Sequence, residues 1–162
     1  MPKKNDSNGI NIISKNRRAF FDYEVLDTFE AGISLQGSEV KSLRLGRCSI
    51  GESYIDRIGS ALELELVNSS IVEYVYANQF GHEERRKRKL LLHKKEILQI
   101  IQGISRKGYT CIPLKMYFKG GRAKIEIALA RGKNDVDKRQ DIKERDWRRE
   151  QAKVIKDYNI KT

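Results

Sequence analysis

Alternating apolar and polar residues predict a β-hairpin near the middle of the chain. In "ALELELV", Leu62, Leu64 and Leu66 alternate with two glutamates, as a strand with one buried and one hydrated face requires. The stretch "ESYIDRI" precedes it across the turn pair Gly59-Ser60, and such a pair favours a tight connection between antiparallel strands. The two stretches therefore predict neighbouring strands of one sheet.

Strand-like stretches recur on both sides of this hairpin. "YEVLDTF" and "ISLQG", which a break at Ala31-Gly32 separates, and "IVEYVY" (Ile71–Tyr76) are rich in β-branched and aromatic residues. "YTCIPLKMYF" and "RAKIEIALA" meet at Gly120-Gly121 and predict a second hairpin. Pro113 predicts an edge position or a bulge in its strand, because proline cannot donate to a strand ladder.

Helical spacing replaces the alternation in two places. Ser38 is a favourable N-cap for a short helix over "EVKSLRL", and Gly46 is placed to end that helix. In "LLLHKKEILQIIQG", apolar residues from Leu90 to Ile101 fall at i, i+7, i+8 and i+11, before Gly103. This spacing predicts an amphipathic helix that packs one face on the sheet.

A small closed barrel is the fold that these elements favour. Roughly five to seven short antiparallel strands would leave exposed edges in an open sheet, and closure removes those edges. We therefore predict a mainly β fold with capping helices, an OB-fold-like barrel over residues 16–130. Residues 1–15 are polar and aperiodic and predict a mobile basic arm. Residues 131–162 carry charge throughout, and this basic tail is predicted to be disordered when free and helical when bound.

Composition narrows the class of protein. Lys and Arg outnumber Asp and Glu by 33 to 22 over 162 residues, a formal charge of +11, and such a field attracts polyanions. Nucleic acid is therefore the predicted partner. The sequence lacks a long apolar run and the features of a signal peptide, so a cytoplasmic protein is expected. Cys48 and Cys111 lack the spacing of a zinc site or a disulfide framework, and we expect no metal or other cofactor.

The positive charge is clustered rather than spread. "HEERRKRKLLLHKKEI" (His82–Ile97) places a basic block directly against an apolar run. We interpret the block as a loop entering a barrel-capping helix, in which the leucines anchor the segment and the cations project toward a polyanion. A second cluster lies at residues 15–18 and a third in the tail. The cations of the first two clusters are Lys15, Arg17, Arg18, Arg85, Arg86, Lys87, Arg88 and Lys89.

Four long stretches of the sequence carry a more specific signal. They are "NRRAFFDYEVLDTFEAGISLQGSEVKSLRLG", "RRKRKLLLHKKEI", "GYTCIPLKMYFKGGRAKIEIALARGK" and "DKRQDIKERDWRRE". Together they resemble the SmpB family, the SsrA-binding proteins that escort transfer-messenger RNA to stalled bacterial ribosomes. The resemblance implies an OB-type barrel that binds the transfer-RNA-like half of that RNA without catalysis. It further implies a tail that enters the ribosome's decoding site and mRNA channel, a contact with elongation factor Tu through the RNA complex, and a monomer with no membrane partner.

The resemblance also assigns candidate site residues. Positions tied to the RNA-contacting face are Asn16, Glu30, Leu91 and His93, and phosphate contacts are expected at Lys41, Arg44, Arg88, Lys89 and Lys124. Arg17, Arg18, Arg85 and Arg86 join them as members of the basic clusters. Ribosome contacts of the tail are expected at Lys133, Asp137, Lys138, Arg139, Lys143, Arg145, Trp147, Arg148 and Arg149. Phe21 stands where the family usually has histidine, and Val136 stands where it usually has an aromatic ring.

Two other classes of function are open. His82 and His93, with nearby lysines, are residue types that could cleave RNA by acid–base catalysis, but no third orienting residue accompanies them, and we predict no enzyme. A general binder of single-stranded RNA, or a ribosome-assembly factor, would use the same basic surface and prefer unstructured RNA. Candidates for base stacking near the basic elements are Tyr54, Tyr74, Tyr76 and Phe80, although a tyrosine in a strand more often belongs to a core.

Overall fold

Ten strands and four helices form the part of the chain that the computed structural model describes, residues 5–6, 9–77 and 81–161. The strands are β1 (Asn5–Asp6), β2 (Ile10–Lys15), β3 (Tyr23–Ile33), β4 (Cys48–Ser49), β5 (Tyr54–Arg57), β6 (Leu64–Val67), β7 (Ser70–Ile71), β8 (Arg88–Leu91), β9 (Tyr109–Lys119) and β10 (Arg122–Gly132). The helices are α1 (Ala19–Asp22), α2 (Gly37–Arg44), α3 (Lys94–Ile104) and α4 (Asp135–Lys161).

Six of these strands close into a barrel. The larger sheet is antiparallel in the order β1-β2-β9-β10-β3-β8-β6-β5, and β5 returns to β9 through the pair Ile55 and Cys111. The ring therefore runs through β9, β10, β3, β8, β6 and β5, and β2 pairs with another part of β9, at Lys115–Lys119. Closure pairs the edges that an open sheet would expose. The predicted mainly β barrel with helices is confirmed.

Apolar residues at alternating strand positions fill the barrel. Leu64 and Leu66 are fully buried, and Ile125 and Ile127 of β10 repeat the pattern. Burying each such side chain stabilises the fold by roughly 1.5–3 kcal/mol relative to leaving it in water. Leu62 lies before β6 and stays 40% exposed, so the predicted alternation begins two residues too early.

Two strand boundaries differ from the prediction. β3 runs through Ala31-Gly32 without a break, because Gly32 pairs with Leu91 so closely that a Cβ added to the glycine would lie 3.2 Å from the Leu91 Cβ. Leu90 and Leu91 belong to β8, which pairs with β3 on one side and β6 on the other. The predicted helix begins only at Lys94. Pairing on both edges overrides the helical spacing of the leucines.

The predicted strand over Ile71–Tyr76 is reduced to β7. After Ile71 the backbone turns toward α2: Val72 N–H donates to Arg47 O at 3.2 Å, and the Ser42 hydroxyl donates to Val72 O at 2.6 Å. These bonds satisfy the backbone groups that a strand partner would otherwise take. Residues 72–77 are therefore an irregular surface loop, and Phe80 lies outside the described residues.

The bulge predicted at Pro113 is confirmed. Glu126 of β10 pairs with Lys115 but Ile127 pairs with Pro113, which leaves Leu114 as the extra residue of β9. Asn16 fastens this bulge, because its N–H donates to Leu114 O at 2.8 Å and its Nδ2 donates to Pro113 O at 3.1 Å. The bulge therefore sets the position of the basic residues on either side of Asn16.

The two ends of the chain depart from the predicted boundaries in different ways. The arm predicted for residues 1–15 is wrong for Ile10–Lys15, which forms β2, and residues 1–4 and 7–8 of that arm lie outside the described residues. The predicted tail forms α4, a helix of 27 residues; its disorder in the free protein stays a prediction. Within the described ranges no helix has both the length and the apolar character needed to cross a membrane.

Candidate nucleic-acid interface

Four residues predicted to contact RNA line one concavity on the barrel. The concavity holds about 420 Å³, and Glu30, Leu91, His93 and Lys124 lie in its wall. The strand register brings them together from distant parts of the sequence: Glu30 pairs with Glu126, and Gly32 pairs with Lys124 on one side and Leu91 on the other. The wall therefore combines a carboxylate, an ammonium group, an imidazole and an apolar side chain.

Tyr117 and Lys119 hold the Glu30 carboxylate in its charged form. The Tyr117 hydroxyl donates to Glu30, and the Lys119 ammonium donates to both carboxylate oxygens at 3.3–3.4 Å. The hydrogen bond from Tyr117 is the main reason that the pKa of Glu30 lies below its ordinary value, with Lys119 and Lys124 adding to the effect against a smaller cost of burial. An ionised carboxylate only accepts hydrogen bonds, so Glu30 suits base amino groups or ribose hydroxyls rather than phosphates.

Leu91, His93 and Lys124 complete the wall with different chemistry. Leu91 points outward and is 55% exposed, which makes it an apolar surface for a sugar or a base face. His93 is the N-cap of α3, and its N–H donates to Glu96 Oε2 at 3.1 Å in a capping box. Lys124 is half-buried beside Glu30. Tyr117 is only 2% exposed. It was not predicted as a site residue, because a tyrosine within the apolar pattern of β9 indicates a core position.

A second cleft joins two of the predicted basic clusters. Lys15, Arg17 and Arg18 at the end of β2 lie with Arg85 around a cleft of about 370 Å³. Arg85 is fixed there, because its Nη1 donates to Asn68 Oδ1 at 2.6 Å. The cleft brings Arg85 to three cations that lie roughly 70 residues earlier in the sequence, and thus offers a place for phosphates. Asn16 also borders the cleft. It is 8% exposed and positions the bulge, and its contact with RNA stays a prediction.

Arg88 contradicts the interpretation of the basic block. It was predicted to project toward RNA, yet its side chain is 0% exposed. Because strand positions alternate, Arg88 and Leu90 of β8 face inward while Lys89 and Leu91 face outward. Arg88 Nε donates to Glu39 Oε1 at 2.8 Å, and its Nη1 donates to Ser69 Oγ at 2.9 Å. An arginine, rather than the leucines alone, anchors the block.

Glu39 is the centre of this buried network. Arg86 also binds it, at 2.8 Å, and is itself only partly exposed. Burial alone would raise the pKa of Glu39, but hydrogen bonds from Arg86 and from the Gln36 N–H, with the charge of Arg88, hold it below its ordinary value. Gln36 is the N-cap of α2, so the prediction of Ser38 as the cap is wrong.

Ser38 instead contacts a buried histidine. His82 is 6% exposed; its Nδ1 lies 2.8 Å from the Ser38 hydroxyl, and its Nε2 donates to Ile71 O at 2.9 Å. Both ring nitrogens are therefore occupied by structural hydrogen bonds, whereas His93 caps a helix at the concavity. Each histidine has a positioning role in the fold, and the arrangement does not resemble an acid–base pair.

The remaining cations of the block lie on the surface in ion pairs. Lys87 Nζ is 3.2 Å from Glu65, and Lys89 Nζ is 2.6 Å from Glu63. Surface pairs of this kind contribute only about 0–1 kcal/mol, so RNA phosphates can compete for these lysines at little cost. Lys41 and Arg44 lie on the exposed side of α2.

The first turns of α4 are fastened to α1. Lys133 Nζ donates to Phe20 O at 2.9 Å and to Asp141 Oδ2 at 2.5 Å, and the Arg145 guanidinium lies 5.5 Å from the Phe21 ring centre. Lys138 Nζ adds a long contact of 3.9 Å to Asp22. Three cations predicted to contact the ribosome are therefore engaged with the barrel. The exposed members of the predicted set are Asp137, Arg139, Lys143, Arg145, Trp147, Arg148 and Arg149.

The two cysteines lie in surroundings that disfavour their thiolates. Cys48 and Cys111 are free thiols, and burial raises the pKa of Cys48 to about 11 and that of Cys111 to about 12. Thiols with such pKa values stay protonated and unreactive at neutral pH. In the part of the chain that is described, no cluster of three or more histidine, cysteine, aspartate or glutamate residues could hold a metal ion.

Comparison with known proteins identifies what the chain is similar to. The family model described as "SmpB protein" matches residues 13–157. An SsrA-binding protein of Agrobacterium fabrum is 53% identical over 146 residues, covering 90% of each chain. An SsrA-binding protein of Rhodopseudomonas palustris is 49% identical over 157 residues, covering 96% of this chain and 98% of that protein. A solved structure described as "tmRNA-SmpB: a journey to the center of the bacterial ribosome" has a TM-score of 0.63 and 46% identity, over 75% of this chain and 84% of that one.

Proposed function

Because the chain belongs to the SmpB family, we propose that it binds the transfer-RNA-like half of transfer-messenger RNA and delivers that RNA to stalled ribosomes for trans-translation. The observation that carries the proposal is the concavity in which Glu30, Leu91, His93 and Lys124 meet. A folded RNA presents phosphates, ribose hydroxyls and a few unstacked bases. The wall of the concavity offers a complementary group for each of them.

The chemistry of recognition follows from those groups. Glu30 accepts hydrogen bonds from a base edge or a 2′-hydroxyl, Lys124 neutralises a phosphate, and Leu91 packs against a sugar or base. Tyr117 and Lys119 keep the Glu30 carboxylate charged and oriented before RNA arrives. The complex therefore forms without reorganising the barrel, and preorganisation of this kind favours tight binding.

The Arg17, Arg18 and Arg85 cleft supplies sequence-independent affinity in this proposal. Each phosphate that it neutralises releases counterions, so the affinity should fall steeply as salt rises. A flat affinity between low and moderate salt would contradict a phosphate contact in the cleft. The role is one of holding RNA, with no catalysis assigned to either histidine.

We further propose that α4 acts on the ribosome. Its exposed length carries Trp147 and a series of cations, and pairs such as Arg148 with Glu144 stabilise an isolated helix by only about 0.2–0.5 kcal/mol each. The half of α4 beyond the contacts with α1 therefore frays in the free protein and becomes ordered in the decoding site and mRNA channel. Elongation factor Tu joins through the RNA, the protein acts as a monomer, and its place of action is the cytoplasm.

A competition titration at fixed, moderate salt tests the RNA proposal. The competitors are the transfer-RNA-like half of transfer-messenger RNA, an ordinary transfer RNA, and an unstructured RNA of equal length. A preference of about tenfold or more for the first, roughly 1.4 kcal/mol, is the expected result. Equal affinity for all three would instead favour a general RNA-binding or ribosome-assembly protein, which the basic cleft alone would allow.

A matched pair of variants locates the site. Lys124→Ala should lose most of the preference, because it removes the cation of the concavity. Lys107→Ala removes a lysine that is exposed beyond the far end of α3, roughly 16 Å along the helix from His93, and should keep the preference. If both variants lose the preference equally, the loss comes from the lower net charge, and the RNA contact lies outside the concavity.

Deleting residues 135–162 separates the tail from the barrel. The truncated protein should bind the RNA with nearly unchanged affinity, since the concavity and the cleft both lie in the barrel. It should fail to support tagging of incomplete proteins on stalled ribosomes in a reconstituted translation assay. A loss of RNA affinity as large as that caused by Lys124→Ala would contradict this division of labour.

A further inference from the structure

Two tyrosines lie in the loop after β7, outside the buried core of the barrel. Tyr76 is 79% exposed and the adjacent Val75 is 71% exposed, while Tyr74 is half-buried. The two rings meet edge to face, with centres 5.6 Å apart and an angle of 66° between their planes. The Lys41 ammonium of α2 lies 5.5 Å from the centre of the Tyr74 ring. We refer to Lys41, Tyr74 and Tyr76 as the aromatic platform.

The platform is held in place by the rest of the protein. Ser42 of α2 donates to Val72 O at 2.6 Å, and Ala77 N–H closes the turn on Tyr74 O at 3.0 Å. At the base of the loop, buried His82 donates to Ile71 O at 2.9 Å. The start of the loop is thus fixed to α2 and to His82, and the bond from Ala77 closes a turn within the loop. An exposed aromatic ring does not contribute to the core. It can bury its surface only against a binding partner.

The charge around the platform favours a polyanion. Arg44 and Arg47 are exposed beside Lys41 on α2 and the turn that follows it, and Glu73 is the acidic residue of the loop. Every nucleobase presents a π-face, and proteins that hold unpaired nucleotides combine aromatic rings with cations that follow the phosphates. The platform has this combination. A protein partner would find the same rings, but it would have to bring matching acidic groups to the surrounding cations.

Helix α2 connects the platform to the proposed RNA site. A second concavity of about 380 Å³ adjoins the first, because Gly32, Leu91 and Lys124 line both. Val40 lines the second concavity, and Lys41 is the next residue along α2. Helix α2 therefore carries both a residue of the second concavity and the cation of the platform.

We propose that Tyr76, supported by Tyr74 and Lys41, stacks on an unpaired base of the RNA that is bound at the Glu30 and Lys124 concavity. This proposal rests on the proposed function, since it names a further contact to the same RNA. Tyr76 supplies the exposed ring face. Tyr74 fixes the angle of that ring, and Lys41 neutralises a phosphate next to the stacked base.

Three substitutions test the stacking contact in the full-length protein. Tyr76→Ala should weaken binding of the transfer-RNA-like half of transfer-messenger RNA by about tenfold, whereas Tyr76→Phe should bind like the wild type, because stacking needs the ring and not the hydroxyl. Tyr158→Ala removes another exposed tyrosine, on α4, and should leave the affinity unchanged. Tyr76 makes no core contact, so circular dichroism should show all three variants folded.

The salt dependence of the affinity distinguishes stacking from charge. Tyr76→Ala should lower the affinity at every salt concentration by the same factor, and the slope of log affinity against log salt should not change. Lys41→Ala should reduce the magnitude of that slope by about one unit, as expected for the loss of one phosphate contact. A changed slope for Tyr76→Ala would overturn the stacking assignment.

The outcomes separate this proposal from the function on which it rests. If the wild type prefers the transfer-RNA-like RNA and Tyr76→Ala binds it equally well, the platform is overturned and the proposed function stands. If that variant also loses tagging on ribosomes, the tyrosines contact a protein instead, which likewise overturns the proposal. If the wild type shows no preference among RNAs, the proposed function fails, and the stacking contact is then judged by the loss that Tyr76→Ala causes with unstructured RNA.

Discussion

Replacing Arg88 with methionine should destabilise the barrel without directly affecting RNA binding. Methionine can follow the path of the arginine stem but donates no hydrogen bonds. The substitution therefore removes the donors to Glu39 Oε1 at 2.8 Å, Ser69 Oγ at 2.9 Å, Arg86 O at 2.8 Å and Glu84 O at 3.0 Å. Of these acceptors, Glu39 and Ser69 belong to fully buried residues and have little access to water.

The size of the effect depends on the hydrogen-bond partners that Glu39 keeps after the substitution. Breaking a buried ion pair by removing one partner costs about 3–5 kcal/mol, and Glu39 keeps Arg86 and the Gln36 N–H as partners. We therefore expect a loss at the lower end of this range, about 3 kcal/mol in the free energy of unfolding. A domain of this size is stable by about 5–15 kcal/mol. The midpoint of thermal unfolding should fall by roughly 6–12 °C.

Lys89 provides a matched control one residue away. Its ammonium group pairs with Glu63 on the surface, where the two side chains are 46% and 43% exposed, so Lys89→Met should change stability by less than about 1 kcal/mol. Urea unfolding followed by circular dichroism measures both variants. RNA affinity, measured below the unfolding transition, should fall in the Lys89 variant and stay near the wild-type value in the Arg88 variant.

The opposite pattern would refute this reasoning. If Arg88→Met unfolds at the same urea concentration as the wild type but loses RNA affinity, then Arg88 is an RNA contact, as the sequence alone had indicated. If Lys89→Met is as destabilised as Arg88→Met, then the inward and outward alternation of β8 does not govern the energetics of the basic block.

Three further predictions follow from individual contacts. Tyr117→Phe removes the main cause of the lowered pKa of Glu30, so an NMR titration of that carboxyl should show its pKa raised; an unchanged value would contradict the assignment. Gly46→Ala places a side chain at φ +73° and should cost about 1–2 kcal/mol in urea unfolding, whereas Gly37→Ala, which meets no atom within 4 Å, should not destabilise α2. The pKa of Glu39 is lowered on folding, so its contribution to stability is present above its ordinary pKa and is lost as the pH falls through the lowered value. Glu39→Gln should therefore flatten the fall in unfolding free energy as the pH drops from the ordinary pKa of a glutamate toward the lowered value, and an equally steep fall would mean that other carboxyl groups dominate.

The fold was predictable from the sequence where the spacing of apolar residues agrees with the positions of turn residues and prolines. Leu64 and Leu66 alternate with glutamates in a strand bounded by turn residues, and Pro113 indicated its own bulge. The pattern at Leu90 and Leu91 failed, because a short apolar run fits a strand and a helix equally well. The deciding factor there was pairing with β3 and β6, and sequence spacing does not contain that information.

The sequence predicted which residues line the candidate site better than it predicted what each residue does there. Glu30, Leu91, His93 and Lys124 were named from motifs, and the barrel register is what assembles them. Arg88 was misassigned because a run of cations indicates a hydrated surface, while the alternation that buries every second residue requires the strand boundaries to be known. Tyr117 was missed for a related reason: its hydroxyl has a function only once β9 and β3 lie on opposite sides of β10.

The order of the strands has a consequence for the synthesis of the protein itself. β3 pairs along its length with β10, so that Glu30 lies opposite Glu126, roughly 100 residues later in the chain. β10 both pairs with the strand that carries Glu30 and contributes Lys124. Because β10 lies late in the chain, it is among the last elements to leave the ribosome. A nascent chain cut short between residues 94 and 121 would contain the motif residues Glu30, Leu91 and His93 but would lack β10, and so would have no closed barrel to hold them. A cell whose ribosomes stall on this very message would thus make incomplete copies that cannot occupy the RNA needed to release them.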